Sequence, residues 1–430
     1  MEQDRRDLAE PWFGMYASVL EYSAEKLRTP GAYPGSGPQD EAATWKRHGD
    51  FFAAMGAEEA IDALDTGPGM QRRRTLAAGI GNLVQACKRA VQREDGPVAA
   101  ATCRAAWAVW AMRGPSKVAA QLGEAVLAMR SLDPTARART ARVAGLAQRI
   151  SGNTAAAEAH LVASRLLLVA AGDRAGEAVV LGNLGLLHME RGQMELARSE
   201  HEAALAIQRT ASRKGYAVAL GNLAILNRRQ GRLDEARAQY EQALEIHREV
   251  GNRREEAVVL SNLGVLSADQ DRLLEAGSHY ERALELHREI GNQRGEGVMQ
   301  GNLGDLLLGL DRLDEALPHY EQALSILREI GNRRLEGVML GSIGLLRARK
   351  GEHALAESQF SAGELVLRSM GDQLELGRLL CSRAEGHHRR GDASAARACL
   401  VEAQSLAASV GATPSTELGR ALSRVQGMIG

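Results

Sequence analysis

The sequence predicts an all-α solenoid on three observations: a forty-residue internal period, apolar residues spaced for one buried helical face, and glycine punctuation at the same interval. The segment GRLDEARAQYEQALEIHREVGNRREEAVVLSNLGVL, from Gly231, is followed forty residues later by DRLLEAGSHYERALELHREIGNQRGEGVMQGNLGDL. Asn222, Asn262 and Asn302 stand forty residues apart, as do Gly251, Gly291, Gly331, Gly371 and Gly411. Each unit reads as two helices. The first carries Val258, Leu263 and Leu266, and the second carries Leu273, Ala276, Tyr280, Ala283, Leu284 and Leu286, both at the i, i+3, i+4, i+7 spacing of a single apolar stripe. Alternation with period two, the mark of strands, is absent.

Taken in order, residues 1–30 contain FGMYASVLEYSAEKL, where Val19, Leu20, Tyr22, Ala24 and Leu27 predict a short helix ending before Thr29–Pro30. GAYPGSGPQD follows as a turn-rich linker, which places a boundary at 29–40 within a helical N-terminal segment, 1–97. WKRHGDFFAAMGAEEAIDAL reads as one helix and RRRTLAAGIGNLVQACKRAVQRE as another. Residues 98–135 read as a degenerate helix pair broken at Gly114–Pro115, with Trp107, Trp110 and Met112 facing inward. Seven clear units follow over 136–411, with internal turns at Gly152, Gly192, Gly231, Asp271, Asp311, Gly351 and Gly391.

Gly-Asn or Gly-Asp closes the second helix at 251–252, 291–292, 331–332 and 371–372, because glycine takes the left-handed conformation of a helix C-terminus without strain. The step from Gly192 to Gly231 is one residue short, and the usual Gly-Asn is lost near TASRKG, so a tighter junction is expected there. After Gly411, Ser415 or Thr416 is placed to cap a final helix within 412–430 that would cover the end of the stack.

Leu263, Gly264, Ala276, Tyr280 and Ala283 stand at the spacing of the tetratricopeptide signature. The array resembles tetratricopeptide repeats over about 136–411, and its forty-residue length and Asn-Leu-Gly run are similar to kinesin light chains and Pins-type adaptors. That resemblance implies a right-handed superhelix whose first helices line a concave groove. Val19–Leu27, Arg47–Phe52 and Asn82–Ala86 are loosely similar to the region after the winged helix in bacterial signal-transduction ATPase regulators. The chain departs from that family in having no GxxxxGK[ST] phosphate loop, so a nucleotide-binding part would be missing or would belong to another polypeptide.

Composition narrows the function. Aromatic residues make up only 3% of the 430 residues, which suits helices packed through Ala and Gly. A net charge of −1 gives no global reason to bind nucleic acid or membrane. No run of eighteen apolar residues occurs and MEQDRRDLAE lacks the apolar core of a signal peptide, so a cytoplasmic protein is expected. Cys87, Cys103, Cys381 and Cys399 form no CxxC pair and read as buried reduced thiols. His279, His319 and the His387–His388 pair have no second ligand at metal spacing, and HExxH is absent, so they read as solvated or half-packed; neither metal nor cofactor is expected. The glycine clusters TGPGM and GIGN match no nucleotide fingerprint, and no catalytic constellation is visible, so an enzyme is not expected. Glu249 before Arg253–Arg254, and Glu329 before Arg333–Arg334, read as ordinary i,i+4 support at helix ends, with Glu255, Glu256, Glu296 and Glu336 neutralising the arginines.

The asparagines carry the functional expectation. Asn183, Asn222, Asn262 and Asn302 recur in mid-helix, where asparagine is a poorer helix former than alanine and gains nothing from an apolar interface. In similar tetratricopeptides this position lines the groove and bonds the backbone of an extended peptide. Val179, Val218, Val258, Val298 and Val338 lie one turn back as an apolar floor, and Gly182, Gly221, Ser261, Gly301 and Gly341 leave room for close approach. The competing assignment gives those amides to neighbouring helices or loops. The sequence thus points to a non-enzymatic scaffold that binds a protein or peptide in the groove. The sensor portion of a bacterial regulator, taking a peptide or a small molecule, is the alternative, and self-association is compatible with either.

Overall fold

The computed structural model describes residues 25–31, 36–65, 69–412, 414 and 416–429, and they are helical with no strand among them. They divide into two compact units, one within Met1–Ala111 and Ser116–Asp173, the other within Met112–Pro115 and Arg174–Gly430. The expected helix around Val19–Leu27 lies outside the described residues except for its end, which is helical at 25–28.

In the first unit the helices are α1 (Pro38–Ala54), α2 (Glu58–Asp62), α3 (Gly69–Ala78), α4 (Ile80–Gln92), α5 (Gly96–Arg113), α6 (Ser116–Leu127), α7 (Pro134–Ile150) and α8 (Thr154–Ala170). Two segments expected as single helices are each broken. Gly56 separates α1 from α2 because it lies against α5, where a Cβ would run into the Ala101 carbonyl and where its own carbonyl accepts from Arg104 Nε at 2.9 Å. Gly79 separates α3 from α4 as the N-cap of the latter. Arg89 of α4 stacks over the Trp45 ring of α1, 3.2 Å from its centroid, and Leu83, Cys87, Ala99, Cys103 and Trp110 fill the core between α4 and α5. Trp107 is only half-buried, as is Cys399 among the cysteines.

The second unit is built from helix pairs: α9 (Arg174–Glu190) with α10 (Met194–Ala211), α11 (Arg213–Arg229) with α12 (Leu233–Glu249), α13 (Arg253–Asp269) with α14 (Leu273–Glu289), α15 (Gln293–Gly309) with α16 (Leu313–Glu329), α17 (Arg333–Arg349) with α18 (His353–Met370), and α19 (Gln373–Arg389) with α20 (Ala393–Ser409). Together with α7 and α8 they account for the seven units. A last helix, α21 (Glu417–Ile429), packs on α19 and α20 through Leu418, Leu422 and Val425. Its cap is Thr416, whose hydroxyl accepts from Gly419 N at 3.2 Å. Ser415 lies outside the described residues.

Within a pair, the odd-numbered helix offers a glycine and the even-numbered helix a ring. A Cβ on Gly264 would lie 2.5 Å from the Tyr280 ring, one on Gly304 2.6 Å from Tyr320, and one on Gly344 2.7 Å from Phe360. The rings are all but fully buried, so the two helices approach to ring thickness. His201 takes the ring position in the α9–α10 pair, under Gly185. The turns follow the expected punctuation: Gly251, Gly291 and Gly331 have φ between 65° and 67°, and Asp271 and Asp311 take φ of 60° and 58° where other repeats use glycine. The shortened junction is tight, because Ser212 both ends α10 and caps α11, accepting from Gly215 N at 3.1 Å.

Consecutive pairs are clasped by charge. Glu256 accepts from Arg248 at 3.1 Å and Arg253 at 3.0 Å, and Glu336 from Arg328 at 3.0 Å and Arg333 at 2.6 Å. The expected i,i+4 pairing of Glu249 with Arg253, and of Glu329 with Arg333, does not form. The glycine turn puts the two partners on different helices, so helical spacing no longer applies; Glu249 pairs with Arg213 and Glu329 with Gln293 instead.

Gly264→Ala is expected to lower stability by about 1–3 kcal/mol, because the Tyr280 ring cannot withdraw from a packed core. Gly221→Ala, where a Cβ meets nothing within 4 Å, is expected to raise it by about 1 kcal/mol through helix propensity; denaturant unfolding of the two variants checks the contrast.

Burial also makes stability pH-dependent. It lowers His201, His247 and His287 to about 4, with His188, Lys214 and Arg254 respectively adding repulsion. These residues are neutral when folded and titrate near 6.5 when unfolded, so the unfolded chain takes up more protons as pH falls. Their contribution of about 3 kcal/mol per histidine is complete above pH 6.5, is lost progressively as pH falls to 4, and is absent below it. Thermal midpoints measured from pH 7.5 to 4.5 should fall most steeply below 6.5, and His201→Phe, which supplies the ring that Phe360 uses under Gly344, should flatten the fall.

Candidate functional site

From α13 onward, the odd-numbered helices turn one face toward their even partners and another toward a trough of about 660 Å³. Its walls come mainly from α13, α15, α17 and α19, with Leu273 and Tyr280 of α14, Leu327 of α16, and Glu417, Arg420, Ala421 and Arg424 of α21. The floor is apolar where Val265, Val298, Val338, Met339 and Leu379 recur along successive helices. Asn302, Asp305, Ser342, Ser382 and Arg378 interrupt it with polar groups.

Of the asparagines and valines singled out from the sequence, the trough brings together Asn302, Val298 and Val338. Asn183, Asn222, Asn262, Val218 and Val258 are half-buried on the corresponding faces of α9, α11 and α13 but are not among its lining residues. Among the described residues no hydrogen bond engages the side-chain amides of Asn183, Asn222, Asn262 or Asn302. Asn222 is turned toward the preceding repeat, its Nδ2 3.1 Å from where a Gly182 Cβ would stand.

The room expected beside the asparagines is mostly taken by the protein itself. Met339 fills the space over Gly301, Leu379 that over Gly341 and Asn222 that over Gly182, because each repeat leans on the next; only Gly221 faces open space. Ser261 turns its hydroxyl back to the Ala257 carbonyl at 2.7 Å.

Four carboxylates line the trough, and three are held by arginine. Asp269 lies 2.5 Å from Arg228 and 3.6 Å from Arg420. Glu375 accepts from Arg334 at 2.8 Å and Arg378 at 3.1 Å, and Glu417 pairs with Arg378 at 3.1 Å. Asp305 is the exception: its Oδ1 accepts from the Tyr320 hydroxyl at 2.6 Å and the Ser342 hydroxyl at 3.4 Å, and no ion pair reaches it among the described residues. Burial pushes its carboxyl above the usual range, against the opposing pull of the Tyr320 hydroxyl and the charge of Arg378.

Sequence reasoning missed Asp305, Arg378 and the α21 residues. A signal was present for the first two as departures from the repeat: Asp305 stands where neighbouring repeats have Val265 and Leu345, and Arg378 where they have Val298 and Val338. The part played by α21 had no such signal, since it is a contact between segments far apart in sequence.

The architecture defines a helix-pair repeat protein with an inward-facing trough. Its repeats over residues 176–249, 255–329 and 296–364 match the model of the tetratricopeptide repeat family. No curated protein matches the chain. Among solved structures, the Rap conjugation gene regulator of plasmid pLS20, in complex with the Phr* peptide, is similar with a TM-score of 0.56 at 14% identity, over 77% of this chain and 96% of that one. The Cut9–Hcn1 hetero-tetramer of the APC/C gives 0.54 at 13%, over 90% and 73%. Aspartyl phosphate phosphatase F from Bacillus subtilis gives 0.52 at 12%, over 79% and 95%. At these identities the likeness is one of fold.

Proposed function

We propose that the protein is a non-enzymatic interaction scaffold of the cytoplasm that binds an extended peptide segment of a partner in the trough of α13–α19. The observation that carries this reading is the Asn302 amide, without an internal partner, standing on the apolar floor made by Val298 and Val338. An extended peptide offers a carbonyl and an N–H at every residue and side chains on alternate sides, so it suits a trough with an amide in its wall and an aliphatic floor. The Phr* peptide of the similar Rap regulator favours a peptide over a metabolite and keeps the sensor portion of a regulator as a second reading of the same site. The charged groups in the trough do not suggest catalysis, because three of its four carboxylates are tied up in ion pairs.

The test is selection of binders from a random peptide library with the intact protein, followed by calorimetric titration of the best binder. Asn302→Ala is expected to weaken binding several-fold, since a net hydrogen bond is worth about 1 kcal/mol, with thermal unfolding unchanged, whereas Asn262→Ala, outside the trough lining, is expected to leave the affinity as it is. Equal affinity in folded Asn302→Ala would remove the asparagine from the site.

A further inference from the structure

Asp305 is a chemical singularity in the trough. Every other carboxylate that lines it has an arginine within 3.1 Å, so its charge is already spent inside the protein. Asp305 receives only two hydroxyls, both on Oδ1, and Oδ2 accepts from no group among the described residues. The side chain is exposed and lines the trough, as do Val298, Asn302 and Ser342. Such a carboxylate is held in place without gaining a counter-ion, which an incoming cation would supply.

The arrangement around it is also prepared. Tyr320 is buried under Gly304, so the hydroxyl that fixes Asp305 is itself held by the core, and Ser342 comes from α17, the first helix of the next pair. The carboxylate plane is thereby pinned with one oxygen turned away from both donors. Arg378 is the cation that acts on Asp305 from across the trough, and its own guanidinium is engaged by Glu375 and Glu417. The trough as a whole is close to charge balance, so selectivity rests on this one unpaired group rather than on a general field.

We infer that Asp305 is a specificity residue that receives a lysine or arginine side chain of the bound peptide, through Oδ2, beside the asparagine that holds the peptide main chain. The inference rests on the peptide-binding reading and adds the charge of one ligand residue to it. An ammonium or guanidinium there would complete the coordination of the carboxylate and pair it as the other trough carboxylates are paired.

The experiment uses the intact protein and a random peptide library with no charge bias, selected in parallel against the wild type, Asp305→Asn and Asp305→Glu. Wild type and Asp305→Glu should enrich lysine or arginine at one peptide position. Asp305→Asn, which keeps acceptors for Tyr320 and Ser342 but no charge, should lose that preference and bind the wild-type winner about tenfold or more weakly, a charge-assisted bond being among the stronger contacts. Replacing the basic residue of the winner by norleucine should cost the wild type the same factor and Asp305→Asn nothing. Enriched peptides with no basic position, or a basic preference that survives in folded Asp305→Asn, would overturn the role of Asp305 while leaving peptide binding in place. No enrichment with any of the three proteins would overturn the peptide reading and this inference with it.

Discussion

The fit of a ring beneath a glycine is the contact on which the second unit depends. Where Gly264, Gly304 and Gly344 meet Tyr280, Tyr320 and Phe360, no Cβ could be accommodated, and the separation of each helix pair is set by that contact. It uses one face of each odd-numbered helix and the ring side of each even-numbered one, which leaves the opposite face of α13, α15, α17 and α19 free to line a trough. Tyr320 links the two roles: its ring lies under Gly304 while its hydroxyl holds Asp305 at 2.6 Å. Packing and the recognition proposed for Asp305 therefore share one side chain, Tyr320.

Charge joins the pairs where apolar area runs out. The arginine at the end of one pair reaches the glutamate in the first turn of the next, as Arg248 does to Glu256 and Arg328 to Glu336, across turns closed by Gly251 and Gly331. Because Glu256 and Glu336 are buried, these pairs are not interchangeable surface contacts; removing the arginines would strand a carboxylate away from water. The same logic inside the trough leaves Asp305 as the one lining carboxylate with no arginine.

Much of the architecture could be read from the sequence because it is periodic. Turns at forty-residue steps, small residues against rings, and the helix pairs follow from local rules that repeat, so each unit corroborates the others. Departures from the period were harder to read. His201 stands in register with the rings of Tyr240 and Tyr280, but its polarity hides that from a hydrophobic pattern, and its place under Gly185 assigns it to the role. The partners of Glu249 and Glu329 were misassigned because a helical spacing was carried across a turn that breaks the helix. Gly301 and Gly341 were read as open space, but long-range packing brings Met339 and Leu379 over them. The same limit applies to α21, whose arginines enter the trough from more than a hundred residues away along the chain.

Hydrogen–deuterium exchange of the intact protein with and without a library-selected peptide tests the central claim most directly, since it reads which helices the ligand touches. The account predicts slowed exchange in α15, α17 and α19, and in α21 where it faces them, with the even-numbered helices, which add only Leu273, Tyr280 and Leu327 to the lining, protected less. Protection confined to the even-numbered helices, or to the first unit, would contradict it.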